Sequence, residues 1–140
     1  MEKDGIVAFI YSHLRSDVDD SSEEWQILLR VTADFQILYR GNIFYEEVEF
    51  PVIEFADQAR KWIVEGGCFE YHSMETDDNP MIYFSVFPGD ELMMGAVGAN
   101  TKMYDTLKRS AVRDAISEFI IQLEKDVMEK FGIDIKSVLV

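Results

Sequence analysis

The pattern of apolar and polar positions predicts extended structure through the first third of the chain. Residues 5–13, GIVAFIYSH, are rich in β-branched and aromatic types and predict a first strand, and residues 17–24 have no apolar periodicity and predict a solvated loop. Residues 25–39 then carry apolar side chains at most odd-numbered positions. At about 3.3 Å per residue this segment would span roughly 50 Å, too long for one flat strand in a small domain. We therefore expect a bulge, bend or break near residues 32–34, leaving one bent strand or two.

The next segment, residues 40–43, has the composition of a tight hairpin turn. Gly41 and Asn42 tolerate the positive backbone angles that two-residue turns require, so we place them at the tip. This turn would set three cross-strand pairs: Tyr39 with Phe44, Ile37 with Glu46, and Phe35 with Val48.

Two segments have the apolar spacing of helices. The first begins at Pro51, which suits a first helical position, and ends at Gly66-Gly67, which resembles a C-terminal cap. The second is predicted from a cap at Asn100-Thr101 to Phe131, because apolar residues recur every three or four positions and Gly132 follows them.

Three short strands are predicted between these helices, at residues 68–73, 81–87 and 91–97. The middle one is apolar in both phases, which predicts a strand that is covered on both faces or lies at the centre of the sheet. The sequence thus favours a single α+β domain over residues 1–140, with the order βββαβββα. We expect two layers, a mostly antiparallel six-stranded sheet with both helices on one face.

Composition agrees with one folded domain in a reducing compartment. The chain has 140 residues, 48% of them hydrophobic, and a single cysteine that cannot form an intramolecular disulfide. No secretory pattern opens the sequence, and no run of about 18 apolar residues could span a bilayer. We therefore expect a soluble, cytoplasmic protein.

The charge is strongly negative and unevenly placed. The net charge of −14 belongs entirely to residues 1–100, which carry 20 acidic and 6 basic residues, while residues 101–140 carry 7 of each. Such a surface repels nucleic acids and anionic membranes, so neither is an expected partner. A basic protein partner or simple solubility fits this charge better.

Cys68, Glu70 and His72 are the residues that most suggest chemistry. If they lie on a strand, they share one face, opposite Phe69 and Tyr71, which would enter the core. The outer two would stand about 13 Å apart, too far to bind one ion together, so the row offers at most two metal ligands. His13 could add a third only if the first strand lay alongside.

Motif searches give no catalytic or cofactor signature. Cys68 has no CxxC or protease motif around it, and the calcium-like segment from Asp17 lacks the required glycine and final glutamate. No phosphate loop, dinucleotide fingerprint or GxSxG elbow occurs. We expect no cofactor, no metal and no catalytic residue.

Acidic and aromatic residues alternate around the third strand and the start of the first helix. We take six of them as candidates for protein binding: Tyr45, Glu46, Glu47, Glu49, Glu54 and Asp57. Charge would steer a cationic partner, and aromatic rings would anchor it. The alternative is structural, since acidic side chains also protect edge strands and stabilise helix N-termini.

The segment from Trp25-Gln26-Ile27-Leu28-Leu29-Arg30-Val31 through Tyr45 to Lys61-Trp62 resembles small uncharacterised bacterial proteins and the immunity proteins of toxin–immunity systems. The resemblance implies a nonenzymatic protein that acts by binding, such as an inhibitor that covers a basic toxin. Two other functions remain open. One is a secretion-chaperone-like homodimer, although the usual opening helix is replaced by a strand. The other is an enzyme or small-molecule binder with an apolar pocket between the sheet and the long helix, including His13 or His72.

Overall fold

Seven strands and three α-helices make up the computed structural model, which describes residues 6–19, 23–74, 81–100, 103 and 105–137. In chain order they are β1 Val7–Ser16, α1 Glu24–Arg30, β2 Val31–Tyr39, β3 Asn42–Phe50, α2 Val52–Glu65, β4 Phe69–Tyr71, β5 Ile82–Phe87, β6 Glu91–Ala96, β7 Leu107–Lys108 and α3 Arg109–Phe131, followed by a 3-10 turn at Ile135–Ser137. The predicted loop 17–24, the turn 74–80 and the cap at Thr101 lie wholly or partly outside the described residues.

The strands form two antiparallel sheets, with the orders β1-β2-β3 and β4-β5-β6-β7. The α+β class and the antiparallel pairing are confirmed, but the single six-stranded sheet is wrong. Helix α2 separates β3 from β4 along the chain, and the strands on each side of it pair with one another in a separate sheet. The segment that follows β6 contacts the first sheet, because the Asn100 N–H donates to the Phe44 carbonyl at 2.8 Å.

The long helix begins later than its apolar spacing predicts. Leu107 and Lys108 pair with Leu92 and Glu91 as strand β7, and α3 starts only at Arg109. A strand of two residues is too short to show alternation of apolar and polar side chains, so the helical spacing of apolar residues extends across it in the sequence. The end is as predicted, since Gly132 has a left-handed conformation and its N–H donates to the Met128 carbonyl at 2.9 Å.

Residues 24–30 form helix α1, so the strand predicted there is wrong. The expected break exists but falls earlier, between Arg30 and Val31. Gln26 stabilises the helix start by accepting a hydrogen bond from the Glu23 N–H at 2.7 Å, as in a capping box. Ile27 and Leu28 both lie partly buried against the core. A run of adjacent apolar residues is therefore compatible with a helix as well as with a strand.

The hairpin between β2 and β3 turns one residue earlier than predicted. Arg40 and Gly41 form its tip with φ of 51° and 82°, and Tyr39 pairs with Asn42. A bulge then follows, and both Phe44 and Tyr45 are buried. The observed pairs are therefore Ile37 with Tyr45, Gln36 with Glu46, and Phe35 with Glu47, in place of the predicted ones. Glu46 lies on the exposed face beside Gln36, not against the apolar Ile37.

Helix α2 joins the two sheets through one shared aromatic core. It spans Val52–Glu65, beginning one residue after the predicted start because Pro51 is its N-cap, and the predicted cap Gly66 follows it with φ of 75°. The Phe55 ring is fully buried, and it contacts rings from both sheets and from α3 at centroid distances of 5.3 to 6.1 Å: Phe9, Phe35, Phe50, Phe69, Tyr71 and Phe119. This core makes the two sheets one packing unit.

The outer face of the second sheet is open. Of the two predicted alternatives for β5, the structure agrees with a strand inside the sheet and not with one covered on both faces, because Tyr83 and Phe87 are exposed. Tyr83 lies over Gly95 of β6, where an added Cβ would stand 2.3 Å from the ring. No helix in the described ranges has the length and apolar character needed to cross a membrane.

Candidate functional site

Two β-bulges flank Asp34 at the centre of the three-stranded sheet. In β1 the register shifts between Ser12 and Arg15, and in β3 it shifts opposite Asp34. The bulge residues His13 and Glu49 have φ of 55° and 54°. Such left-handed backbone costs an L-residue about 1–2 kcal/mol, and strain of this kind clusters at functional sites. This pair of bulges is therefore the first place to look for function.

The Asp34 carboxylate accepts hydrogen bonds from both bulges. Arg15 Nη2 donates to it at 2.6 Å, the Glu49 backbone N–H donates at 3.4 Å, and His13 Nδ1 lies at 2.9 Å. Partial loss of hydration raises the pKa of Asp34, but the hydrogen bonds from Arg15, Glu49 and His13 outweigh it and hold that pKa below its usual range. Asp34 is thus an ionised hub that fixes both neighbouring strands.

Two clefts open beside this hub. The first, which we call the arginine cleft, has a volume of about 560 Å³ and is lined by Arg15, Ser16, Asp17, Gln26, Leu29, Arg30, Thr32 and Glu49. The second, which we call the acidic cleft, has a volume of about 480 Å³ and is lined by Ser12, Asp34, Phe35, Gln36, Glu46, Glu47 and Val48. Glu49 at one bulge lines the first, and its neighbour Val48 lines the second. The bulges therefore shape both clefts.

A third cleft, of about 420 Å³, lies between β1 and α3. Its lining includes His13, as one of the predicted alternatives requires, but also charged residues such as Asp126 and Lys130 instead of an apolar wall. The Tyr11 hydroxyl donates to Asp126 Oδ2 at 2.6 Å, and burial followed by this contact raises the pKa of Tyr11. Tyr11 therefore serves as a hydrogen-bond donor that ties the strand to the helix.

The six predicted protein-binding residues separate into two groups. Glu46, Glu47 and Glu49 are exposed on β3, the edge strand of its sheet, where Glu46 accepts a hydrogen bond from Gln36 Nε2 at 3.3 Å. Asp57 is half-buried on α2, with Lys61 Nζ 3.4 Å from its carboxylate. These four stay candidates for contact with a partner.

Tyr45 and Glu54 are buried, so they do not contribute to that surface. Glu54 accepts from the Tyr71 hydroxyl at 2.7 Å and from the Met74 N–H at 2.9 Å, which links α2 to β4 and the residues after it. Burial, followed by the contact with Glu54, raises the pKa of Tyr71. The sequence could not separate this structural carboxylate from its exposed neighbours, because the charge pattern is the same for both.

Cys68, Glu70 and His72 share an exposed face, while Phe69 and Tyr71 are buried as predicted. His72 Nε2 lies 3.2 Å from Glu70 Oε1, and the His72 backbone is held by the Gln58 amide. His13 belongs to the other sheet, beside Asp34. Within the described ranges, no three metal-ligating side chains come together.

Sequence reasoning missed the hub itself. Asp34 was noticed only as part of an expected bend, and Arg15 was not considered. Asp34 occupies a polar position of the alternating segment 25–39, as Thr32 and Gln36 do, so the pattern does not separate it from its neighbours.

These features define a small acidic α+β protein with two antiparallel sheets and a polar, doubly bulged centre in one of them. Residues 7–129 match the domain of unknown function DUF7878, and the chain belongs to that family. No curated protein and no solved structure matches the chain. The family description carries no activity with it, so function has to be argued from the surface.

Proposed function

We propose that this protein acts without catalysis, by binding a basic protein through the exposed carboxylates of β3. The observation that carries the proposal is the placement of Glu46, Glu47 and Glu49 on an exposed edge strand around Val48, whose side chain is 68% exposed. An apolar side chain framed by like charges suits a partner that presents a small apolar contact surrounded by lysine or arginine.

Charge distribution supports the same surface. Asp34 is paired with Arg15, so it adds little net charge to the site. Glu46 and Glu47 line the acidic cleft, and Glu49 lines the neighbouring arginine cleft. A cluster of this sign accelerates encounter with a cationic partner and makes the rate depend on salt. An inhibitor of a basic toxin is one role for such a surface, and it is the role we propose for this chain.

The proposal is tested by isolating partners from the native organism, purifying the basic ones and measuring their affinity. The variant E46K/E47K/E49K should weaken binding at least about tenfold and reduce its salt dependence, since like charges then face each other. The matched control is E65K/E70K/E118K, which makes the same change in charge at exposed positions elsewhere and should bind normally. Equal affinity of the two variants would exclude β3 as the contact.

The inhibitory role has its own test. Expression of the purified partner's gene should harm cells unless this protein is produced with it, and the β3 variant should fail to protect while the control variant protects. A partner that is harmless on its own would remove the toxin from the proposal and leave the binding surface in place.

A further inference from the structure

The arginine cleft is open to solvent and has the size of a small-ligand site. Its volume of about 560 Å³ falls within the range of roughly 300–1,000 Å³ that ligand pockets occupy. Four elements form its walls: the ends of β1 and α1, the start of β2 and the bulge of β3. A site built from several elements is held open by the fold itself.

The two arginines of the cleft differ in how well they are paired. Arg15 is fixed, because it donates to Asp34 at 2.6 Å and to the His13 carbonyl at 3.0 Å. Among the described residues, Arg30 makes longer contacts: its Nη1 donates to the Asp17 carbonyl at 3.4 Å and lies 3.9 Å from Asp19 Oδ2. Its planar guanidinium therefore retains donors for a carboxylate, which it can bind with two parallel hydrogen bonds.

Neutral donors line the same cleft. Ser16 Oγ accepts from the Val18 N–H at 3.1 Å, which leaves its own hydrogen to donate. Gln26 uses its amide oxygen for the Glu23 N–H, which leaves its NH₂ group to donate. Thr32 adds a further hydroxyl. This arrangement suits a ligand with carboxylate oxygens.

The acidic residues of the cleft restrict which carboxylate can enter. Asp17 and Glu49 line it, and the whole chain carries a net charge of −14. A phosphate or a dicarboxylate would be repelled by both. A molecule that carries one carboxylate and one ammonium group has no net charge, and its ammonium group can face Asp17 or Glu49 while its carboxylate faces Arg30.

We infer that the arginine cleft binds a small zwitterion of the amino-acid class, with its carboxylate on Arg30 and its ammonium group toward Glu49. This site is independent of the protein contact proposed for β3, except that Glu49 borders both.

The test is an NMR titration of the full chain at neutral pH, following backbone amide shifts. The probes are the common L-amino acids one at a time, with acetate, methylammonium and inorganic phosphate as comparison ligands. We expect saturable shifts at residues 15–17, 26–32 and 49 with at least one amino acid, and binding at least about tenfold weaker for acetate or methylammonium alone. Absence of saturable shifts with every amino acid, or preferential binding of phosphate, would overturn the inference.

Two variants assign the roles of the charged groups. Arg30→Gln should weaken amino-acid binding about tenfold or more, while Lys125→Gln, which removes the same charge from an exposed position on α3, should not change it. Glu49→Gln should weaken binding of the amino acid but not of acetate. If Arg30→Gln proves unfolded by the dispersion of its amide signals, the Glu49 variant still decides the question. Unchanged affinity in the folded variants would contradict the site.

Discussion

The two sheets of this protein are built from similar hairpins but differ in regularity. Both strand pairings of the three-stranded sheet contain register shifts, whereas the three pairings of the four-stranded sheet contain none among their described residues. Of the non-glycine residues described with positive φ, His13, Arg40 and Glu49 belong to the first sheet, and Asp90 lies in a turn of the second. Local strain is thus concentrated in one sheet.

The regular sheet serves as a scaffold, whereas the bulged sheet carries the candidate site. On the outer face of the regular sheet, the Tyr83 ring contacts Gly95. Lys108 Nζ lies 2.9 Å from the Glu91 carboxylate, which also accepts a hydrogen bond from the Thr106 hydroxyl. The bulged sheet holds a carboxylate hub with two clefts beside it. The cysteine–histidine row that first suggested chemistry lies on the regular sheet, where the geometry gives it no convergent partners. Strain and cavities thus point to the bulged sheet, whereas reactive residue types point to the regular one.

The strongest test of the comparison asks whether the two sheets are independent. Phe55→Ala removes the ring that contacts both, and the resulting cavity should lower the free energy of unfolding by about 3–5 kcal/mol. Because the core is shared, urea unfolding followed by far-UV circular dichroism and by aromatic fluorescence should remain one coincident transition. The control is Val64→Ala on the same helix, 82% exposed, which should change stability by less than about 0.5 kcal/mol. Two separate transitions would show that each sheet folds alone.

A side chain at Gly95 should disturb the outer face of the regular sheet. An alanine Cβ would lie 2.3 Å from the end of the Tyr83 ring, which is 39% exposed and can move aside. We expect Gly95→Ala to lower stability by about 1 kcal/mol, and the double variant with Tyr83→Ala to recover part of that loss. Thermal unfolding of the three variants measures both effects. Simple additivity of the two changes would contradict the proposed clash.

Alkaline pH should weaken the link between α2 and β4. The pKa of Tyr71 is raised above its ordinary value of 10.0 by burial and by Glu54, so the folded state retains a proton that the unfolded chain loses. The contribution is fully present below pH 10 and declines as the pH rises above 10, by up to about 1.4 kcal/mol for each pH unit. Urea unfolding at pH 9, 10 and 11 measures the slope. In Tyr71→Phe the fall of the unfolding free energy with pH should be smaller, by up to about 1.4 kcal/mol for each pH unit. An identical pH dependence in the two proteins would rule out Tyr71 as its source.

The smallest effect should come from relieving strain in the bulged sheet. Glycine adopts the φ of 54° at Glu49 without a Cβ penalty, and the backbone N–H that reaches Asp34 is kept. Relief of about 1–2 kcal/mol, offset by the added freedom of glycine in the unfolded chain, should leave Glu49→Gly more stable by about 0.5 kcal/mol. The same substitution at exposed Glu70, which is on a regular strand, should instead destabilise the protein. A loss of stability in both variants would mean that the bulge is not strained.

A helix or strand can be predicted from the sequence when the interactions that determine it lie within that segment. The bounds of helix α2 are predicted to within one residue because the apolar spacing and its terminal signals, Pro51 and Gly66, are local to the segment. The residues of helix α1 predict a strand because seven residues with adjacent apolar side chains fit both periods. The predicted register of β3 is wrong because the turn falls one residue earlier and a bulge follows it, and the apolar pattern shows neither.

The candidate site can be predicted only in part, because some of the contacts that form it join residues far apart in the sequence. The exposure of Glu46, Glu47 and Glu49 follows from strand composition, whereas the burial of Glu54 depends on Tyr71, 17 residues later. The Asp34 hub required knowing that β1 and β3 both pair with β2, and no local signal gives that.

The Asp34 contacts also bear on how the length of this chain can change. Between matched pairs, β1 has two residues, His13 and Leu14, opposite Ala33, and β3 has two, Val48 and Glu49, opposite Asp34. At these two bulges, each outer strand therefore holds one residue more than the centre strand. Deleting His13 or Glu49 would remove a contact to Asp34 but would leave the rest of that strand in register, because the matched pairs on both sides of the bulge would then be joined by one residue opposite one. Related chains that keep the Asp34 contacts should therefore keep both extra residues, whatever their type.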